Sequence, residues 1–357
     1  MGAEPESYFP HDYREGRRAF IAAAQGRGLD VVSRVLPGAQ GPDGKPLFLD
    51  VCAMGPRNAG RALLVTSATH GVEGYFGSGV QTGLLRQGVT PPGGARLVMV
   101  HALNPFGFAW DRRVNEGNID LNRNFIDHAK APRNRGYDEL AEAIALRDVS
   151  PDGMARADAL LDAYARKHGA AAWQAAISAG QYSHPDGLFY GGTAPSWSAQ
   201  ALRSVLTEDL PGIDRLIALD FHTGLGESGP GEIIVDAAPG SMAYARAQAL
   251  WGAMVVSQSA GESLSAPLTG TLDRGLAAML PGVEQTFAAL EVGTVPLTAM
   301  IRALRLANWQ DRFAPDGTRA DEIGRLMRDA FYTDTPAWKR KAWALAQKSV
   351  HAALASL

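Results

Sequence analysis

Short apolar runs alternate with longer helix-like stretches along this chain of 357 residues. Apolar runs of about four to eight residues bounded by turn residues are typical of strands buried on both faces. They predict strands at 31–36, 47–54, 62–68, 96–103, 216–221, 232–237 and 288–292. Helices are predicted at 14–27, 77–87, 137–147, 154–179, 198–209, 242–254, 297–312, 321–331 and 337–357. The pattern predicts an α/β fold with a largely parallel central sheet and helices on both faces.

Composition narrows the class of protein. The chain is 46% hydrophobic and 20% charged, with a formal net charge of -3, which is ordinary for a globular protein with a sizeable core. The near-balanced charge and scattered arginines leave no basic stripe for nucleic acid. No internal repeat and no linker rich in Ser, Gly or Pro divides the sequence. We therefore predict a single domain over residues 1–357 that does not bind nucleic acid.

The cysteine content and the apolar run lengths bear on location. Cys52 is the one cysteine, so no internal disulfide forms and a reducing compartment is the natural setting. No apolar run approaches the roughly 20 residues of a membrane span, and residues 1–14 lack the apolar centre of a secretion signal. We predict a cytoplasmic protein without membrane contact, and the sequence leaves its oligomeric state open.

Polar residues stand where several predicted strands end. His70, Asn104, His222 and Glu291 each fall at or just past the end of a different strand. In open parallel sheets, ligands bind at the carboxyl ends of the strands. The sequence therefore predicts a site where these four residues meet.

His70 and Glu73 have a spacing that suits metal ligands, because residues three apart in the turn after a strand can face one point. Alone, this spacing is equally well explained by a structural pair, although Gly71 and Gly74 suit a tight turn around a ligand. His222 offers a third ligand, or else is a buried structural histidine. Asp220, two residues earlier on the same strand, is either a partner of His222 or a cap at the strand end.

Two imidazoles and one carboxylate suit zinc, although other divalent transition ions accept the same ligands. Such a site leaves a coordination position for a water that Glu291 can deprotonate. A glutamate at a strand end is usually just solvated, but Glu291 follows the apolar run 288–290, where an unpaired carboxylate is costly. If His70, Glu73, His222 and Glu291 meet, the sequence predicts a metal-dependent hydrolase.

The segment 104–125 is the densest polar run in the chain, and it ends in Asp-Leu-Asn-Arg-Asn-Phe at 120–125. The order His-x-x-Glu, Asn-Pro-x-Gly, Arg, Asp-Leu-Asn-Arg-Asn-Phe and then a distant His and Glu resembles the zinc carboxypeptidase superfamily, the M14 metallopeptidases. Within that superfamily it is most similar to the carboxypeptidase-like DUF2817 branch. The similar runs span about 69–125, 181–192 and 220–294.

The resemblance implies a role for each matching residue. His70, Glu73 and His222 would bind zinc, and Glu291 would be the general base and acid. Asp120 would hydrogen-bond the His70 ring, and Arg113 would polarise the scissile carbonyl, although the adjacent Arg112 is left open for this role. The remaining implied residues bind substrate: Asn122 and Arg123 would hold its carboxylate, and Tyr190 either lines the pocket or is a packed aromatic.

We therefore expect hydrolysis of an amide bond next to a free carboxylate in a small peptide. A rival is the related aspartoacylase and succinylglutamate desuccinylase branch, which removes acyl groups from N-acyl amino acids. Asn104-Pro105 and the short spacing from Arg113 to Asn122 favour that rival. A zinc-binding module of the same fold without catalysis is a third alternative. The sequence does not indicate a side-chain preference.

Overall fold

The computed structural model describes residues 4–229, 231–263, 265–315, 317 and 319–357. These residues contain eight strands in one sheet, with the order β1-β2-β4-β3-β5-β8-β6-β7. The strands are β1 (Val31–Gln40), β2 (Pro46–Met54), β3 (Arg61–Thr66), β4 (Ala95–His101), β5 (Arg215–Leu225), β6 (Gly231–Val235), β7 (Val255–Ser257) and β8 (Glu284–Val295). Every strand predicted from the apolar runs has a counterpart in this sheet.

The centre of the sheet is parallel. The pairs β3–β4, β3–β5, β5–β8 and β6–β7 are parallel, whereas β1–β2, β2–β4 and β6–β8 are antiparallel. The predicted α/β class with a mixed, largely parallel sheet is confirmed. The antiparallel pairs β1–β2 and β6–β8 lie towards the two ends of the sheet.

Twelve α-helices are present in the described residues, and they cover both faces of the sheet. They are α1 (Tyr13–Gln25), α2 (Gly74–Arg86), α3 (Pro105–Ala109), α4 (Arg135–Ile144), α5 (Pro151–His168), α6 (Ala170–Ser178), α7 (Trp197–Asp209), α8 (Met242–Trp251), α9 (Leu272–Met279), α10 (Leu297–Phe313), α11 (Ala320–Phe331) and α12 (Pro336–Ala355). Among the described residues, none of these helices has both the length and the apolar character needed to cross a bilayer.

The core lies on both sides of β3, as a doubly covered sheet requires. Leu63 and Val65 belong to the apolar cluster on one face, while Ala62 and Leu64 belong to the cluster on the other. Successive side chains of a strand point to opposite faces, so a run buried on both sides must be continuously apolar. All four side chains are fully buried.

Two features of the elements differ from the predicted pattern. The predicted helix 154–179 is two helices, α5 and α6, which meet at Gly169 with a φ of +87°. Its interruption there is expected, because glycine adopts this left-handed conformation without steric penalty. The three-residue strand β7 and the eight-residue helix α9 are not predicted by the apolar pattern, because both are too short to establish a period.

The carboxyl ends of β3, β5 and β8 lie side by side. Thr66 on β3 pairs with Asp220 on β5, and His222 on β5 pairs with Glu291 on β8. Neighbouring strands are about 4.8 Å apart, so the sheet itself brings His222 and Glu291 together. The chain leaves β3 through Ala68, a buried residue with a φ of +57°. Non-glycine residues in this strained region are concentrated at functional sites.

Candidate metal centre

The loop after β3 carries His70 and Glu73. A single 3-10 turn follows His70 and places both side chains at the end of the sheet. A Cβ atom at Gly71 would lie 2.1 Å from the backbone of Gly107, so only glycine allows this close approach. The amide of Gly71 donates to the carbonyl oxygen of Arg113 (3.1 Å), which holds the loop against the polar segment predicted to carry the substrate-binding residues.

Three potential metal ligands converge on one point. The Nδ1 atom of His70 lies 2.9 Å from Oε1 of Glu73, and Nδ1 of His222 lies 2.9 Å from Oε2 of the same carboxylate. The two Nδ1 atoms are 3.2 Å apart. One ligand atom from each residue falls within 4.8 Å of the others, and all three side chains are buried. The sequence prediction that these residues meet is supported by this geometry.

Each imidazole is backed by a carboxylate. Nε2 of His70 lies 3.1 Å from Asp120 Oδ1, and Nε2 of His222 lies 2.6 Å from Asp220 Oδ2. The other oxygen of Asp220 accepts hydrogen bonds from two threonine hydroxyls, at 2.6 and 2.8 Å. At His222, when Nε2 donates its proton to Asp220, the lone pair of Nδ1 is directed to the centre of the cluster, whereas Nε2 of His70 also lies 2.8 Å from Nη2 of Arg113, which can only donate. This arrangement orients histidine ligands in metal sites, so the residues present fit a bound zinc ion.

The charge around the cluster also fits a cation. Four carboxylates face two guanidinium groups in this region; the acids are Glu73, Asp120, Asp220 and Glu291, and the bases are Arg113 and Arg123. With neutral imidazoles, this leaves two negative charges in excess. Charges held away from water need a partner of opposite sign. A divalent cation at the cluster would balance them.

The protein without a cation balances this charge with protons. Burial lowers the pKa of His222, but Asp220 and Glu73 outweigh it and hold that pKa well above its usual range. Burial opposes ionisation of Glu73 and Asp120, yet His70 and Arg113 respectively hold the pKa of each carboxyl below its usual value. A metal at Nδ1 of His222 would replace the proton that the ring otherwise carries, so metal binding and proton release are linked.

Glu291 lies at the edge of the cluster on β8. Its Oε1 accepts a hydrogen bond from the amide of Leu225 (3.1 Å), and the described residues provide no hydrogen bond to Oε2. Burial and then the nearby Glu73 raise the pKa of Glu291 to about 7. A bound cation would lower this value again. Glu291 therefore stands beside the three potential ligands with one carboxylate oxygen that no described residue hydrogen-bonds.

Arg113, and not Arg112, lies at the cluster. Its Nε donates to Asp120 Oδ2 (3.0 Å) and its Nη1 to Glu73 Oε1 (3.3 Å). Arg112 forms an ion pair with Asp311 on α10. Of the two candidates left open by the sequence, Arg113 is the one whose side chain lines the cavity over the metal ligands.

Asn122 and Arg123 line the same cavity. Oδ1 of Asn122 accepts a hydrogen bond from the amide of Leu272 (2.8 Å), which leaves the Asn122 amide N–H groups as donors. Arg123 is almost fully buried, and burial lowers its pKa to about 10, so it keeps its charge at neutral pH. Nε and Nη2 of Arg123 donate to the carbonyl oxygen of Ser178, and Nη1 to that of Asn122. These bonds use three of five N–H donors.

Tyr190 is the packed aromatic of the two alternatives. It is buried, its carbonyl oxygen accepts the amide of Asp120 (2.8 Å), and it is absent from the described residues around the cavity. Phe189 lines the cavity in its place, with its ring 5.4 and 5.5 Å from the guanidinium carbons of Arg113 and Arg123. Phe189 has a φ of +54°, a conformation that no helix or strand period predicts.

The cavity over His70, Glu73 and His222 has a volume of about 110 Å³ and two contrasting walls. One wall is apolar and is built from α10 and the end of α11 by Leu297, Met300, Ile301, Leu304 and Phe331. The other wall is polar and contains Asp236, Gln258, Ser265, Thr271 and Asp273. Sequence reasoning did not identify either wall. The helix start at Thr271-Leu272-Asp273 was the one available signal, since Thr and Asp favour the first turn of a helix.

The helical wall is attached directly to β5, the strand that carries His222. Thr223, next to His222, donates its hydroxyl proton to the carbonyl oxygen of Phe331 (2.5 Å). Thr294 on β8 donates in the same way to Ala330 (2.6 Å). The end of α11 is therefore fixed beside the metal ligands.

Comparisons with known proteins agree with this architecture. The family model described as "Protein of unknown function (DUF2817)" matches residues 9–345. A search of curated proteins gives no match. Bovine thrombin-activatable fibrinolysis inhibitor, solved in complex with tick carboxypeptidase inhibitor, is similar in structure, with a TM-score of 0.50 and 12% identity over 97% of this chain and 96% of that chain.

Two further solved structures are similar to lower degrees. Carboxypeptidase A from Helicoverpa armigera has a TM-score of 0.48 and 15% identity, over 97% of this chain and 74% of that chain. A succinylglutamate desuccinylase from Silicibacter has a TM-score of 0.40 and 18% identity, over 80% and 67%. The carboxypeptidase-like fold expected from the motifs is confirmed. Because the family model spans nearly the whole sequence, this chain belongs to the DUF2817 family.

Proposed function

We propose that this protein is a zinc-dependent hydrolase that cleaves an amide bond adjacent to a free carboxylate. The observation that carries the proposal is the convergence of His70, Glu73 and His222 beside Glu291, in a cavity that also holds guanidinium groups. Three protein ligands with a position left for water are the usual composition of a catalytic zinc site, whereas structural sites use four. His70, Glu73 and His222 would hold the ion. When bound, zinc supplies Lewis-acid polarisation of a carbonyl group and lowers the pKa of water.

Glu291 moves the proton in this scheme. Its Oε1 is held by the Leu225 amide, so Oε2 is the oxygen that accepts a proton from the attacking water. The same carboxyl group then gives that proton to the leaving nitrogen, because an amine is a poor leaving group unless it is protonated. Glu291 is half-buried, which limits competition from bulk water.

Arg113 supplies positive charge where the carbonyl oxygen gains electrons. Its guanidinium is fixed by Asp120 and Glu73, so it needs little rearrangement as the oxygen becomes negative. Asn122 and Arg123 both line the cavity, and the Asn122 amide with the N–H groups of Arg123 that have no partner among the described residues would act as donors for a carboxylate. A planar guanidinium and an amide at fixed separation suit a carboxylate better than a neutral group. This pair would orient the substrate relative to Glu291.

The acyl side of the substrate distinguishes a peptidase from an N-acyl amino acid deacylase. The apolar wall of α10 and Phe331 lies in the same cavity as the carboxylate donors, and α11 is fixed to β5 and β8. This enclosure favours a short substrate with an apolar acyl group, either an N-acyl amino acid or a dipeptide. We propose these small molecules as substrates of a cytoplasmic enzyme.

The test is a substrate panel with the zinc-loaded full chain. N-acyl amino acids, dipeptides and longer peptides would be compared, each with a free or an amidated carboxyl group, and with Glu291→Gln as the inactive control. We expect hydrolysis of short substrates that requires the free carboxylate. Hydrolysis of amidated substrates at equal rates would contradict the role of Asn122 and Arg123. Stoichiometric zinc without turnover on the whole panel would instead indicate a zinc-binding module.

A further inference from the structure

Three consecutive residues in the turn after α3 contact different parts of the molecule. The side chain of Asp111 contacts α2 and α11, that of Arg112 pairs with an aspartate on α10, and that of Arg113 reaches the potential metal ligands. Asp111 has a φ of +51°. Non-glycine residues in this left-handed region are concentrated at functional sites. The proposed mechanism uses Arg113 and gives the two residues before it no role.

Asp111 uses both of its carboxylate oxygens. Oδ1 accepts a hydrogen bond from the Tyr75 hydroxyl (2.6 Å), and Oδ2 accepts one from Nη2 of Arg328 (2.6 Å). The guanidinium carbon of Arg328 also lies 5.0 Å from the centre of the Tyr75 ring. Hydrogen bonds to a charged group are short and directional. This carboxylate therefore holds the turn at one distance from α2 and α11.

The backbone of the same turn is bonded to the loop that carries His70 and Glu73. The carbonyl oxygen of Arg112 accepts the amide of Val72 (2.8 Å), and the amide of Arg112 donates to the carbonyl oxygen of Gly107 (2.8 Å). The turn thus lies between this loop and the helices α10 and α11, and it is bonded to both.

The turn determines where the Arg113 side chain begins. The bonds from its guanidinium to Asp120 and Glu73 hold only the far end of a long side chain. A shift of its Cα atom would move that end, and a misplacement of about 1 Å can lower a rate by about 100-fold. The helices α10 and α11 also supply the apolar wall, including Leu304 and Phe331. One connected unit therefore carries both Arg113 and this wall.

We propose that Asp111 is a positioning residue for Arg113 and acts through its bonds to Tyr75 and Arg328. The proposal rests on the proposed function and deepens it, because it assigns what holds Arg113 in line with the carbonyl oxygen. Asp111 is not among the described residues that line the cavity, so it acts through Arg113 and does not touch the substrate. Its bond to α11 keeps Arg113 and the apolar wall at a constant separation.

A purely structural role for Asp111 makes a different prediction. Partly exposed ion pairs contribute little to stability. If Asp111 only attached α11, its loss would lower the melting temperature slightly and leave kcat unchanged. Asp186 offers a matched control, because its ion pair with Arg312 (2.5 Å) attaches α10 to a different loop. Arg312 is about as exposed as Arg328.

The experiment is a double-mutant cycle on the zinc-loaded full chain. Asp111→Asn, Arg113→Ala, their combination and Asp186→Asn would be compared with the wild-type protein in kcat, KM and melting temperature, with one N-acyl amino acid as substrate. Asparagine keeps the size of the side chain and tolerates the left-handed conformation.

We expect Asp111→Asn to lower kcat by about tenfold while KM changes by less than about twofold, because the lost interaction acts in the transition state. In the Arg113→Ala background the same change should lower kcat by less than about twofold, since the group to be positioned is absent. Asp186→Asn should leave kcat unchanged.

A binding measurement gives a second readout that does not depend on turnover. A phosphonate analogue of the same N-acyl amino acid places a tetrahedral anion where the attacked carbonyl group would lie. By calorimetry, Asp111→Asn should weaken binding of this analogue by about tenfold. Binding of the free amino acid product, which would contact Asn122 and Arg123, should change by less than about twofold.

The outcomes separate the two proposals. Unchanged kcat and unchanged phosphonate affinity in a folded Asp111→Asn variant would overturn the positioning role, even if the wild-type protein hydrolyses amides. An equal loss in the Arg113→Ala background would also overturn it. Phosphonate binding that depends on Asp111 through Arg113, without hydrolysis of any substrate, would support the positioning role and contradict the proposed reaction. Absence of both binding and hydrolysis in the wild-type protein would overturn both proposals.

A second variant covers the case in which Asp111→Asn does not fold. Arg328→Gln breaks the same ion pair from its partly exposed side. It should lower kcat and phosphonate affinity in the same way and lose both effects in the Arg113→Ala background. A folded Arg328→Gln variant with wild-type kcat would overturn the role of this ion pair.

Discussion

Two parts of the cavity differ in how their polar groups are hydrogen-bonded. One is the metal end, which carries His70, Glu73 and His222, and the other is the acidic wall, the polar wall that contains Asp236 and Asp273. At the metal end each imidazole has a carboxylate behind it, and Asp220 has two threonine donors in addition. On the acidic wall, the carboxyl group of Asp273 is stabilised only by its chain neighbours Thr271 and Arg274 among the described residues. Groups that carry out chemistry must be held in one geometry, whereas groups that recognise a substrate keep their bonding capacity for it. Pairing within the protein thus separates the two parts of the cavity, in agreement with the proposed division between reaction and recognition.

The largest expected effect comes from breaking the metal end at Glu291. Glu291→Gln keeps the size and the bond to the Leu225 amide but cannot accept a proton. We expect kcat to fall by about 10²–10⁴-fold, with the zinc content unchanged. Steady-state kinetics and elemental analysis of the same preparation would measure both. Near-native turnover in this variant would remove Glu291 from the mechanism.

Asp220 at the metal end and Asp236 on the acidic wall should differ in their effect on zinc affinity. Asp220→Asn should lower zinc affinity by about 10–100-fold, because the His222 ring loses the group that orients it and raises its basicity. Asp236→Asn, at the rim of the acidic wall, is the matched control and should leave zinc affinity unchanged. Competition with a chromophoric chelator would measure both affinities. Equal zinc affinity in all three proteins would show that Asp220 is only a strand-end cap.

The charge at Glu291 should also make the metal-free protein sensitive to pH. The pKa of Glu291 is raised from 4.5 to about 7 on folding, so the folded state holds a proton that the unfolded state releases. Stability is therefore lost as pH rises from about 4.5 to 7, by about 3 kcal/mol.

Glu291→Gln removes this loss. In chelator-treated protein the variant should be more stable than wild type at pH 8 and equal to it near pH 4.5, as measured by urea denaturation. Zinc should reduce the difference, because the cation favours the carboxylate. A difference that stays constant between pH 4.5 and 8 would contradict the raised pKa.

The smallest expected effect tests the apolar wall. Leu297 lies in the first turn of α10, is partly exposed and lines the cavity, so Leu297→Ala should disturb folding little. We expect kcat/KM for a bulky apolar acyl group to fall by about fivefold, while an acetyl substrate is nearly unaffected. Equal effects on both acyl groups would indicate that this wall does not contact the acyl group.

Sequence reasoning located the metal end better than the acidic wall, and the reason is physical. His222 and Glu291 follow apolar runs and lie near the carboxyl ends of two parallel strands, where chain direction alone places them at one edge. The acidic wall depends on the bond between Asn122 and Leu272, which are 150 positions apart, and on a helix of eight residues. Neither this long-range bond nor so short a helix produces a periodic pattern of apolar residues in the sequence. Phe189 lines the cavity where Tyr190 was predicted. The left-handed backbone conformation of Phe189 changes the direction in which successive side chains point.

The placement of His222 and Glu291 on adjacent strands has a consequence for how this scaffold can diversify. Hydrogen bonds between β5 and β8 set the separation of the proton acceptor from the metal ligand, and the connecting segments do not enter into it. The segment from 257 to 273 lies between these strands in sequence and includes most of the acidic wall. A change in that segment would therefore alter the wall of the cavity and leave the spacing of His222 and Glu291 intact.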